Sequence, residues 1–117
     1  MLKLRNSDVW RAVQEREEFK NNNGTLFGKW VTPFLYVVYS YGEHWPLFMW
    51  DGRPKICAWA YNTDKYSVTT SRHFNQAHPQ CDRVYPDGWA GHGVGADAET
   101  LKAYIRKSKA EAMETYV

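Results

Sequence analysis

Phe34-Leu35-Tyr36-Val37-Val38-Tyr39-Ser40-Tyr41 decides the fold. Every residue but Ser40 is β-branched, aromatic or leucine, which is the composition of a strand. Strand side chains alternate, so Leu35, Val37, Tyr39 and Tyr41 share one face, and Phe34, Tyr36, Val38 and Ser40 share the other. Downstream, Gly42-Glu43-His44 turns the chain into a strand over Trp45–Trp50, where Pro46 favours an edge or a strand start. Asp51-Gly52 is a hairpin signal leading to a strand over Ile56–Tyr61. Upstream, Leu26–Val31 is a short strand, broken from the central one by Thr32-Pro33. These four read as an antiparallel meander, with Tyr66–Thr69 as a short fifth member.

Helices flank the meander. Ser7 is an N-cap for a first helix of about ten residues, with Val9, Trp10 and Val13 as its apolar stripe. Arg11 and Glu15 are spaced to pair along its outer side. Asn21-Asn22-Asn23-Gly24 ends that element. Thr69-Thr70-Ser71 resembles the cap of a short helix reaching Ala77 or His78 and stopped by Pro79. Gln80–Gly95 reads as a loop. Asp97 caps a last helix of about fifteen residues, with Leu101, Tyr104, Ile105 and Ala112 inward and Lys102, Arg106 and Lys109 as a basic stripe. The expected fold is α+β: one domain over 1–117, a twisted four- to five-stranded antiparallel sheet with the N- and C-terminal helices packed on one face.

Six tryptophans, eight tyrosines and five phenylalanines in 117 residues make 16% of the chain aromatic. A small sheet does not easily hide rings on both faces, so a surplus is expected at the surface, where rings suit protein interfaces or base stacking. Net charge is only +2, too weak to imply nucleic acid by itself and opposed to an acidic mimic of DNA. The sequence has no long apolar run of the kind that spans a membrane and no apolar stretch of signal-peptide length near Met1, so a cytoplasmic location is expected. Cys57 and Cys81 are expected as free thiols.

The most specific pattern runs from Tyr36 through Ser40-Tyr41-Gly42, His44 and Pro46. It continues with Asn62-Thr63-Asp64-Lys65-Tyr66-Ser67, Thr69-Thr70-Ser71-Arg72-His73, Gln76 and Pro79. This ordered set resembles a family of small bacteriophage and prophage proteins, over roughly residues 19 to 79. The resemblance implies a phage origin and a β-rich domain. It brings no activity with it.

Four chemistries compete for these residues. If Thr69-Thr70-Ser71 opens a helix, its free N–H groups with Lys65 and Arg72 suit a phosphate or carboxylate, although capping alone explains the same residue types. His73, His78, Cys81 and His92 include both ligand types that zinc prefers, but His73 and His78 fall on different faces of a regular helix and no Cys-x-x-Cys exists. His44 or His73 as a general base would make a small hydrolase or nuclease, yet no nucleophile elbow is present. Gly91-His92-Gly93-Val94-Gly95 lacks the ending of a phosphate-binding loop. No metal or cofactor is expected.

The leading expectation is binding. A phage accessory protein would contact a host protein or defence complex, in the manner of an anti-CRISPR protein. The binding candidates are Tyr39, Tyr41, His44, Trp45, Lys65 and Tyr66, with Thr69, Thr70, Ser71, Arg72, His73 and Gln76. The alternative is nucleic acid, stacked on the aromatic sheet and held by Lys102, Arg106 and Lys109. A homodimer stays open.

Overall fold

The computed structural model describes residues 2–56, 58–64, 72–73, 77 and 94–116. In chain order the elements are β1 (Leu2–Leu4), a 3-10 turn (Asn6–Asp8), α1 (Val9–Glu15), β2 (Phe19–Asn21), β3 (Leu26–Trp30), β4 (Leu35–Ser40), β5 (Pro46–Asp51), β6 (Ala58–Asn62), β7 (Val94–Ala96) and α2 (Ala98–Tyr116). The seven strands form one sheet in sequence order. β3 to β6 pair antiparallel, as the meander reading requires, and β2 adds to β3 antiparallel as well. The outermost pairs, β1–β2 and β6–β7, are parallel.

The fold is therefore α+β, but its sheet is larger than expected and mixed rather than antiparallel. The unexpected strands are three residues each: Leu2-Lys3-Leu4, Phe19-Lys20-Asn21 and Val94-Gly95-Ala96. None carries a run of β-branched or aromatic residues, and each exists because a neighbouring strand offers it a ladder of backbone partners. Val94–Ala96 thus replaces the end of the expected loop. Gly95 is required there, because a Cβ would lie 2.7 Å from Thr63 Cγ2 and 2.9 Å from the Tyr61 ring.

The helices lie on opposite faces, which corrects the expectation of one covered face. Val9, Ala12 and Val13 of α1 pack with Phe19, Leu26, Tyr36, Val38, Phe48, Trp59 and Ala77. Leu101 and Ile105 of α2 pack with Leu35, Val37, Tyr39 and Met49. The alternation read along β4 is the alternation observed, and all six of its residues are buried. Both faces are apolar because both are covered. Most rings disappear into these two layers: Tyr36, Tyr39, Phe19 and Phe48 are among the largest fully buried side chains, while Trp30 and Tyr41 are the exposed large aromatics among the described residues.

Phe34 and Tyr41 flank β4 and leave its alternation. Phe34 packs on the α2 side rather than beside Tyr36, and Tyr41 turns outward. Gly28 explains how Tyr36 is accommodated. A Cβ there would sit 2.5 Å from the Tyr36 hydroxyl and 2.6 Å from the Phe19 ring. With that space free, the hydroxyl donates to Glu17 O at 2.6 Å.

Local signals were met unevenly. Asp97 caps α2, its Oδ1 accepting from Thr100 N at 2.7 Å. Ser7 does not cap α1, because it sits inside the preceding 3-10 turn. Arg11 lies over the Trp10 ring instead of pairing with Glu15. No helix among the described residues is long and apolar enough to cross a membrane.

Candidate functional site

Ser40 ends β4 on the α1 side, at 0% exposure. A hydroxyl buried among apolar neighbours needs a partner. That partner is His73, in helical conformation and 4% exposed, whose Nδ1 shares a 2.8 Å hydrogen bond with Ser40 Oγ. Burial holds the His73 imidazole below its ordinary pKa of 6.5, so the ring is neutral at pH 7.

Tyr41 stacks on this imidazole, with ring centroids 5.4 Å apart and planes 27° apart. Its φ is 60°, a left-handed backbone, and Gly42 follows at 120°. A non-glycine residue in that region costs roughly 1–2 kcal/mol. The turn is held from several sides: Tyr41 N donates to Thr25 O at 2.7 Å, Ser40 N to Trp45 O at 3.1 Å, and Trp45 N to Gly42 O at 3.2 Å. The result is a tyrosine 46% exposed, on a fixed backbone, with a buried ring beneath it.

Asn62 extends the cluster. Its Nδ2 donates to Pro46 O at 2.7 Å, and its Oδ1 accepts from Asp64 N at 2.8 Å. Asp64 Oδ2 then accepts from Ala98 N, tying the turn after β6 to the start of α2. Residues from the Tyr36–Pro46 and Asn62–Pro79 stretches of the sequence pattern thus meet at one end of the sheet.

The expected site residues fare differently. Tyr41 and His73 are in contact. His44 is exposed beside Gly42, where a Cβ would lie 3.1 Å from its Nδ1. Trp45 is half-buried against the α1-side core, and Arg72 is exposed. Tyr39 is withdrawn as a contact residue: it is 2% exposed beneath α2 and stacked on Phe27. Lys65, Tyr66, Thr69, Thr70, Ser71 and Gln76 lie outside the described residues, as do Cys57, His78, Cys81 and His92. On α2, Lys102 pairs with Glu99 at 2.9 Å, and Arg106 and Lys109 are exposed. Ser40 and Asn62 belong to the sequence pattern but not to the expected site residues. The available signal for Ser40 was the one small polar side chain in a strand otherwise aliphatic or aromatic.

A second polar cluster sits at the other end of the β4–β5 pair. Asp51 accepts from Arg53 Nη2 at 2.7 Å, Arg53 Nε at 3.1 Å and Arg53 N at 3.0 Å, and from the Tyr104 hydroxyl. Arg53 Nη1 reaches Glu111 at 2.5 Å, and the guanidinium lies 4.4 Å over the Phe34 ring. Burial alone would push the Asp51 carboxyl up. Hydrogen bonds from Arg53 and Tyr104, with the Arg53 charge, outweigh it and hold the carboxyl below its ordinary range. This cluster fastens α2 to the sheet.

The Ser40–His73 pair has the composition of a nucleophile and base, but Ser40 is wholly buried and offers no approach to a substrate carbonyl. Among the described residues no three His, Cys, Asp or Glu side chains group to hold a metal ion. No protein-family model, curated protein or solved structure matches the chain.

Proposed function

We propose that this chain is a small phage-encoded accessory protein that acts in the host cytoplasm by binding a host protein or defence complex and inhibiting it, as anti-CRISPR proteins do. The phage assignment rests on the resemblance carried by Ser40-Tyr41-Gly42, His44, Pro46 and His73. Tyr41 carries the binding assignment. Core tyrosines in this chain are buried, whereas Tyr41 is held out of the core by a left-handed backbone and stacked on His73. Exposed, pre-organised tyrosines are favoured as interface anchors because little side-chain entropy remains to be lost on contact. His44 and Trp45 lie in the same turn and extend the contact.

The test is capture from a bacterial lysate on immobilised protein, with and without nuclease. A host protein retained after nuclease by the wild type, and lost with Tyr41→Ala, is the expected result. Retention of the same protein by both overturns the role of Tyr41; no retained protein overturns the reading.

A further inference from the structure

The α2-side face of β1 to β3 lies to one side of the helix, and its residues can be read from the register. Lys3 is paired with Lys20, and Lys20 with Phe27. Phe27 is opposite Tyr39, which packs beneath α2, so Lys3, Lys20 and Phe27 form one row on that face. Strands are about 4.8 Å apart, so the two lysine side chains rise next to each other. Both are exposed, and among the described residues neither takes part in a salt bridge. Like charges placed side by side on a sheet destabilise it, and a bound anion removes that penalty.

The row continues into an aromatic surface. Phe27 is half-buried and stacked on Tyr39 with centroids 5.3 Å apart. Lys29, two residues on along β3 and on the same face, is paired with Glu43. Lys109 of α2 is near enough to Glu43 for its charge to help Lys29 hold that carboxyl below its ordinary value. Arg106, exposed on the same stripe of α2, adds a further cation. The surface thus has, among the described residues, two lysines without a carboxylate partner at its outer end and a ring at its inner end.

We propose that this row binds single-stranded nucleic acid, with Lys3 and Lys20 on successive phosphates and Phe27 under a base. The unpaired lysines call for an anionic partner. The ring at the end of the row favours nucleic acid over an acidic protein, because a base has a flat face to lay on it and a carboxylate side chain has none. This surface is separate from Tyr41, which projects beyond the end of β4 against His73 on the α1 side.

Fluorescence anisotropy with a labelled oligothymidylate tests it, between about 50 and 300 mM salt. Affinity is expected to fall linearly with salt on a double-logarithmic plot. Replacing two phosphate contacts in Lys3→Gln/Lys20→Gln should flatten the slope by about 1.4, at roughly 0.7 per phosphate. Phe27→Leu, which keeps the apolar volume, should weaken binding by about tenfold at fixed salt. The charge-matched variant Lys55→Gln/Lys107→Gln should leave the slope in place. Any of three results overturns the proposal: no salt-dependent binding, equal flattening by the Lys55/Lys107 variant, or no effect of Phe27→Leu. Polyglutamate bound as tightly as the oligonucleotide also overturns it, in favour of an acidic protein.

Discussion

The two ends of the β4–β5 pair solve the same problem in opposite ways. At one end Asp51, opposite Leu35, is a buried charge satisfied by Arg53 and Tyr104. At the other, Ser40 is a buried neutral hydroxyl satisfied by one histidine. The charged end fastens α2, and the left-handed residue near it, Arg16 at φ 57°, ends α1 with its guanidinium over the Trp50 ring. The neutral end supports an exposed tyrosine in a left-handed backbone. Strain at an exposed aromatic, stacked on a buried histidine that is hydrogen-bonded to Ser40, suits a contact site. The Asp51 end is expected to carry stability, and the Tyr41 end recognition.

The largest effect should come from breaking the charged end. Asp51→Ala leaves the Tyr104 phenol without its acceptor and Arg53 with Glu111 as its carboxylate partner, and breaking a buried pair costs about 3–5 kcal/mol. Because Arg53 keeps about a third of its side chain in water, a loss of roughly 2–3 kcal/mol is expected in chemical denaturation. Ser40→Ala leaves the His73 Nδ1 without its partner and should cost about 1–2 kcal/mol by the same measurement. A larger loss from Ser40→Ala than from Asp51→Ala would invert the comparison.

Acid separates the two ends. His73 has a folded pKa below 6.5, so its contribution is fully present above pH 6.5 and declines as pH falls below that value toward the folded pKa. The Asp51 carboxyl is also held low, but its contribution is present above its ordinary value of 3.8 and is lost only as pH falls through the depressed one. Stability measured downward from pH 7 should therefore decline first through His73. In His73→Gln that first decline should vanish while the loss below pH 3.8 remains. An unchanged profile in His73→Gln would show that another group sets it.

How much of this was legible depended on whether the signal was local. Phe34–Tyr41 announced β4 and its alternation because strand composition and period are properties of the segment itself. Asp97 announced the start of α2 for the same reason. β1, β2 and β7 could not be read, since Leu2-Lys3-Leu4 and Val94-Gly95-Ala96 become strands only beside a neighbour. The opposite placement of the helices was half-written in β4, whose two faces are both apolar, a pattern that suits cover on both sides. Tyr41 and His73 were both named as candidates, but Ser40 and His73 are separated by 33 residues, and only the folded sheet brings them together. Tyr39 was misjudged because the strand alternation places it on a face without saying that a helix covers that face.

The smallest change in stability should come from Tyr41, the residue proposed to anchor binding. Tyr41→Ala removes an exposed ring and its stack on His73 and keeps the turn, so the change in unfolding free energy should stay within about 1 kcal/mol. Measuring that variant twice, by denaturation and by affinity for the captured host protein, tests the account most directly. The account predicts near-native stability with affinity lowered by about tenfold or more. Stability lowered by more than about 2 kcal/mol with affinity intact would make Tyr41 a structural residue and contradict it.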